Sequence, residues 1–141
     1  MPHYPRTFVG LLVITALLGA CSQQQPGSAT DVKVTLTDFG VVSSSTQFTA
    51  GIPYTFTITN EGLVPHEFMF IPPVMAGMAD MHGEATHNTA LIEVDERQLP
   101  PGATYTLSYT FPESAAGIDL EMACHTPGHY EAGMRLPITV Q

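Results

Sequence analysis

The stretch Cys124–Met134, CHTPGHYEAGM, places a thiol, an imidazole and a thioether on one short loop near the C-terminus. Cys124, His129 and Met134 follow the spacing C-x4-H-x4-M, so a loop leaving one strand can supply three donors before the next strand begins. Copper cycles between Cu(I), which prefers sulfur, and Cu(II), which favours nitrogen, and this mixture suits both states. A trigonal copper site needs a second imidazole, and His66 is the upstream candidate.

The rest of the chain has the pattern of a β-protein. From Val32 onward, apolar and polar residues alternate with the two-residue period of half-buried strands. Eight such segments, with turns rich in Pro and Gly between them, predict an all-β, eight-stranded Greek-key β-sandwich. Cys124 would close the penultimate strand and Met134 would open the last, which places the ligand loop at one end of a rigid body. The predicted strands are 32–39, 47–49, 53–60, 67–71, 89–94, 104–111, 118–123 and 135–140.

With these donors in an all-β context, the chain resembles the cupredoxins, the small blue-copper proteins that include plastocyanin, azurin and rusticyanin. The spacing within Cys124–Met134 is closest to the rusticyanin-like loop, and Asn60–His66 is similar to the stretch before the family's first His. The resemblance covers the chain after roughly the first thirty residues. It implies a mononuclear type 1 copper ion, Cu(I)/Cu(II), with His66, Cys124 and His129 in the equatorial plane and Met134 as the axial ligand.

The residues beside the ligands carry further expectations. Many family members have Asn directly after the first His, where this chain has Glu67. Adjacent side chains on an extended backbone face opposite sides, so Glu67 and His125 should point away from the metal. Glu67 could then accept a hydrogen bond from a backbone amide across the ligand loops, and His125 is predicted to be structural, exposed or on a path to a partner. Tyr130 and Met69 are predicted to pack near the site.

The segment from Pro72 to Asn88 departs from the strand pattern. Its Met residues recur at every third position, which favours one face of a short helix packed on the sandwich. The alternative is a second copper site, because thioethers suit Cu(I) and imidazoles add harder donors. The residues of this Met/His-rich loop or helix insertion that could form such a site are Met75, Met78, Met81, His82 and His87.

The N-terminus has the composition of an export signal. Residues 1–20 contain one cation and an apolar run from Phe8 to Leu18. That run is too short to span a membrane, which takes about 20 apolar residues. Leu18-Gly19-Ala20-Cys21 resembles a bacterial lipobox, so 1–20 is the predicted lipoprotein signal peptide and Cys21 is the predicted lipidation site.

A lipidated Cys21 would anchor the protein to a membrane of the bacterial cell envelope, on its periplasmic or another extracytoplasmic side. Residues 21–30 are small and polar, with Pro and Gly, and are predicted to form a flexible tether. Residues 31–141 remain as the domain, whose one thiol is Cys124. A single Cys in an exported domain has no disulfide partner, which favours a protected, metal-bound thiolate.

The charge of the domain restricts its partners. Residues 31–141 contain thirteen acidic and three basic side chains, a net charge of −10 with His neutral. Such a surface excludes nucleic acid as a partner. It can steer a redox partner protein that has a basic docking surface, or it can simply keep the exported protein soluble. A monomer that contacts the membrane only through its lipid is expected.

The sequence contains no motif for catalysis, and the protein is predicted not to be an enzyme. Cys124 and His125 diverge on a strand and cannot act as a nucleophile and base, and neither a phosphate-binding Gly loop nor H-E-x-x-H occurs. The resemblance therefore implies transfer of one electron through type 1 copper. The alternatives are a copper-handling protein, for buffering, tolerance or delivery, that uses this site or the second one, and a metal-free adhesive sandwich.

Overall fold

The computed structural model describes residues 1, 29–73 and 87–141. These residues form two β-sheets that share one buried core, and a short 3-10 turn lies at Glu113–Ala115. The predicted all-β sandwich is confirmed. The strands of the described residues are β1 (Thr30–Thr37), β2 (Gly40–Ser43), β3 (Gln47–Phe48), β4 (Pro53–Asn60), β5 (Phe68–Ile71), β6 (Ile92–Val94), β7 (Thr104–Thr110), β8 (Leu120–Ala123) and β9 (Arg135–Val140).

The first sheet has the strand order β2-β1-β4-β7. β1 and β4 are parallel, whereas the other neighbours are antiparallel. In β4 the side chains of Tyr54, Phe56 and Ile58 are buried and the intervening residues are half-buried. The alternation of apolar and polar residues in the sequence therefore arises because one face of this sheet packs on the core and the other faces solvent.

The second sheet has the order β3-β9-β8-β5-β6, and its central strands β5 and β8 are buried on both faces. One set of their side chains joins the core between the sheets. Met69, Ile71 and Ala123 of the alternate set form a separate buried group with Tyr130 of the β8–β9 loop, and we call these four residues the outer cluster. Both Met69 and Tyr130 are thus packing residues, as predicted.

Aromatic rings fill much of the core. The ring centroid of Phe111 lies 4.9 Å from that of Phe70 and 5.1 Å from that of Phe48. Tilted rings at these distances are in favourable contact, and a core packed in this way resists displacement. The strand ends that carry the predicted ligands are consequently held on a stiff base.

The structure differs from the predicted strands at the first hairpin. The sequence pattern extends the first strand to Phe39 and contains no second strand before residue 47, and both expectations are wrong. Thr37 pairs with Gly40, so Asp38 and Phe39 form the turn between β1 and β2. Only Val41 of β2 is buried, and such a short alternation is not recognisable in sequence. The described residues therefore have nine strands rather than eight.

Several predictions concern residues outside the described ranges. The lipidation site Cys21 and the signal 1–20 belong to this group, apart from residue 1, as do Met75, Met78, Met81 and His82 of the candidate second copper site. These stay predictions. His87 is described, and its Nδ1 lies 3.2 Å from Glu93 Oε1. No helix within the described residues is long and apolar enough to cross a membrane.

Candidate metal centre

The loop between β8 and β9 is closed by backbone hydrogen bonds. The Cys124 N–H donates to the Met134 carbonyl (3.1 Å), and the Met134 N–H donates to the His129 carbonyl (3.0 Å). The His129 N–H in turn donates to the Thr126 carbonyl at 2.9 Å. Gly133 has a φ of 104°, a backbone conformation that residues with a Cβ rarely adopt. This folding brings the two ends of the loop together, with both Cys124 and Met134 fully buried.

His66 is placed by a turn that Asn60 organises. The buried Asn60 Nδ2 donates to the Val64 and Leu99 carbonyls, each at 2.8 Å, and its Oδ1 accepts the Gly62 N–H at 2.8 Å. The His66 N–H donates to the same Leu99 carbonyl at 3.2 Å. One amide side chain thus bonds three backbone groups and fixes the path from the end of β4 to His66.

The three predicted equatorial donors converge. His66 Nδ1 lies 3.1 Å from His129 Nδ1, and Cys124 Sγ lies 3.6 Å from His129 Nδ1. The donor atoms of all three residues are within 4.8 Å of one another. Metal bonds to His nitrogen and Cys sulfur are about 2.0–2.3 Å long, so one ion can reach all three. In residues 29–73 and 87–141 no other group of His, Cys, Asp and Glu side chains forms such a cluster.

The surroundings of the donors favour a protonated Cys124 thiol and a neutral His66 imidazole in the metal-free protein. Burial raises the pKa of the Cys124 thiol, and its hydrogen bonds with Thr126 and with the Glu67 backbone N–H offset this effect only in part. The Glu67 N–H lies 3.4 Å from Cys124 Sγ. Burial, followed by the proximity of His129, lowers the pKa of His66, which favours its neutral imidazole. Metal binding at this site therefore displaces the thiol proton.

The neighbours of the ligands tie the two ligand segments together. The Glu67 carboxyl group accepts a hydrogen bond from the His125 backbone N–H, which is the cross-loop contact predicted for it. Burial raises the pKa of this carboxyl group. The His125 ring is 1% exposed and stacks on Tyr130, with centroids 4.5 Å apart. His125 therefore packs with the outer cluster and has a structural position.

Two supporting residues were missed in the sequence. From the sequence, Asn60 is expected only to be part of a turn. An Asn two residues before a Gly at the end of a strand nevertheless indicates a turn capped by the Asn side chain. Asp38 Oδ1 lies 3.5 Å from His66 Nε2, and nothing in the sequence connects two residues so far apart. The pairing depends on the hairpin turn that was not predicted.

A buried acid lies beside the outer cluster. Glu121 pairs with Ile71 across the strands and is 3% exposed. Burial raises the pKa of its carboxyl group, while a hydrogen bond from Tyr130 and the charge of Arg135 lower it less strongly. The Arg135 guanidinium also lies 4.7 Å from the centroid of the Tyr130 ring.

Replacing Glu121 with glutamine should make the protein more stable relative to the wild type as the pH rises above about 4.5, the ordinary value for Glu. The pKa of Glu121 is higher in the folded state, so the folded state binds more protons in this window and the free energy of unfolding falls with rising pH. Urea unfolding between pH 4 and 8 measures the difference. The exposed Glu113→Gln is the matched control, and equal pH dependence in all three proteins would contradict the prediction.

Comparison with known proteins places this geometry in a class. No family model matches the chain. Auracyanin from Roseiflexus castenholzii superimposes with a TM-score of 0.59, at 21% identity over 82% of this chain and 99% of that one. Auracyanin A from Chloroflexus aurantiacus, a "blue" copper protein, gives 0.53 at 23% identity over 79% and 99%. The fold is therefore the cupredoxin fold, as the resemblance implied.

A curated relative is similar over almost its whole length. The copper-resistant cuproprotein CopI of Pseudomonas aeruginosa is 29% identical in an alignment of 182 residues that covers 98% of this chain and 99% of the relative. The donor set of this chain independently fits copper, since one thiol and two imidazoles converge within 4.8 Å of one another. Fold and site together define a copper-binding protein with the cupredoxin fold.

Proposed function

We propose that the protein carries one electron on a mononuclear type 1 copper ion, held by His66, Cys124 and His129 with Met134 as the axial ligand. The convergence of the first three donors within 4.8 Å carries this proposal. When bound, the ion alternates between Cu(II) and Cu(I), and a Cys thiolate gives such a site its intense visible absorption. The two packed sheets and the hydrogen-bonded β8–β9 loop hold the donors in place. We therefore expect the donor atoms to move little when the oxidation state changes.

His129 provides the electron's route to the surface. It is half-buried, whereas Cys124 and His66 are fully buried. Exposed apolar side chains belong to the adjoining loops: Leu63 is 84% exposed and Phe39 is 75% exposed. An apolar rim around an acidic body suits transient docking of a basic redox protein, because charge steers the encounter and apolar contact allows close approach.

The proposal extends to location. The predicted signal and Cys21 support a lipid-anchored protein of the bacterial envelope, facing the periplasm or another extracytoplasmic space. We propose a carrier rather than an enzyme, acting as a monomer and contacting the membrane only through its lipid.

Copper handling is the second candidate function. The similarity to CopI, a copper-resistant cuproprotein, favours it. The predicted Met/His segment would supply a second site for buffering or delivery, with His87 as its described member. The two functions differ in the number of copper ions bound per chain. Electron transfer needs one ion, whereas copper handling is favoured by a second bound ion.

Copper titration of the purified chain tests both. Electron transfer predicts one tight equivalent, an intense visible band, small copper hyperfine splitting in electron paramagnetic resonance and reversible voltammetry. A second equivalent that disappears in the triple variant Met81→Ala, His82→Ala, His87→Ala would support handling. The matched control is His66→Ala, which should disrupt the first site and leave any second equivalent intact. Binding without a sulfur-to-copper band would overturn the type 1 assignment.

A further inference from the structure

The imidazole of His66 has an acid on the side opposite its proposed metal-binding nitrogen. Nδ1 faces His129 at 3.1 Å, whereas Nε2 faces Asp38 Oδ1 at 3.5 Å. The ring is fully buried, and Nε2 has no hydrogen-bond partner of standard length. A buried N–H needs an acceptor, and Asp38 supplies the carboxylate oxygen that lies just beyond the usual 2.7–3.2 Å range.

The surrounding turns fix the position of the Asp38 carboxylate. Asp38 sits in the β1–β2 turn, and its Oδ1 accepts the Leu63 N–H at 2.7 Å. Gly62 leaves the room for it, because a Cβ at that position would lie 2.4 Å from Asp38 Oδ1 and 2.6 Å from His66 Nε2. The Asp38 side chain is 26% exposed, so the pair is shielded from most of the solvent.

We propose that Asp38 is a positioning residue that holds the hydrogen of His66 on Nε2 and biases the site toward Cu(II). This inference rests on the proposed function. With Nε2 protonated, the Nδ1 lone pair is free to bind the metal. In the metal-free chain the same Nδ1 accepts a hydrogen bond from His129 Nδ1, which explains their 3.1 Å approach.

The charge of Asp38 gives the contact a second effect. A negative group behind a ligating imidazole makes that ligand a stronger donor and favours the more positive oxidation state. Glu67 is adjacent to His66 in sequence, but its carboxyl group is engaged by the His125 N–H instead. Asp38 is the acid in contact with the His66 ring among the residues that the structure describes.

Asp38→Asn is the decisive variant, because it keeps an oxygen for Leu63 N–H and His66 Nε2 but removes the charge. We expect the ratio of Cu(II) to Cu(I) affinity to fall about tenfold, which for a one-electron couple is a rise in reduction potential of about 59 mV. Asp31→Asn is the matched control, since it removes the same charge from the other end of β1, about 23 Å along the strand. That control should change the ratio less than about twofold.

Metal-free protein gives an independent measurement. Nitrogen-15 NMR of His66 should show the Nε2–H form in the wild type and in Asp38→Asn, and a loss of that preference in Asp38→Ala. Retention of the Nε2–H form in a folded Asp38→Ala protein would overturn the positioning role. Equal affinity ratios for Asp38→Asn and Asp31→Asn would overturn the electrostatic role. A wild type without a sulfur-to-copper band would instead refute the proposed function, and the metal-free spectra would still decide the role of Asp38.

Discussion

Replacing Cys124 with serine should abolish the intense visible band of the copper-loaded protein and lower its Cu(I) affinity by more than about 100-fold. The loss should exceed the 10–100-fold effects typical of residues that only support a ligand, because the sulfur itself is removed. A hydroxyl group is a hard donor that serves Cu(I) poorly. Absorption spectra during titration, and competition with a Cu(I) chelator, measure both effects.

The chain contains its own control for this substitution. It has two cysteines, and Cys21→Ser should leave the spectrum and the affinity unchanged. Cys124 is fully buried, so circular dichroism and thermal unfolding must show that the Cys124→Ser protein is still folded. A folded variant that keeps the visible band would remove Cys124 from the site and refute the type 1 assignment.

Replacing Asn60 with alanine should destabilise the protein by about 3 kcal/mol and weaken copper binding at the same time. The substitution removes the Asn60 bonds to the Val64 and Leu99 carbonyls and to the Gly62 N–H, and of these groups the Leu99 carbonyl keeps one bond, from the His66 N–H. A buried polar group that loses its partner costs roughly 1–3 kcal/mol, and water reaching the turn would reduce the sum. His66 should lose its defined position, because its turn depends on these bonds.

Urea unfolding and copper titration together test this role of Asn60. Thr59→Ala is the matched control from the neighbouring position of β4, where the side chain makes only an exposed hydroxyl contact with Thr104 at 3.1 Å. That control should change stability by less than about 0.5 kcal/mol. If Asn60→Ala resembles Thr59→Ala in stability and in copper affinity, the turn does not organise the site.

The fold was largely predictable because half-buried strands leave a period of two in the sequence. The pattern located β4 with its observed bounds, Pro53–Asn60, where four buried residues alternate with half-buried ones. It failed for β2, where only Val41 is buried. It also gave no hint that β5 and β8 would be buried on both faces, since the covering of an outer face depends on segments distant in sequence.

The site was predictable to the extent that it is local. Cys124 and His129 lie five residues apart, and the chemistry of copper selects those residue types whatever the surroundings. His66 was the upstream candidate for the second imidazole and the resemblance to cupredoxins supported it, and the structure brings its Nδ1 to 3.1 Å from His129 Nδ1. The contact between Asp38 and His66 was not predictable, because it requires the β1–β2 hairpin and the Asn60 turn to meet.

The sequence by itself determined the donor types, their spacing along the C-terminal loop and the alternation that makes a sandwich, because each of these depends on residues close together in the chain. Only the tertiary structure decided which distant groups surround the donors: His66 beside His129, the Glu67 N–H against the thiol and the Asp38 carboxylate behind His66. The physical reason is that strand pairing and turn geometry set these approaches to within an ångström, and that precision arises from the packing of the whole domain.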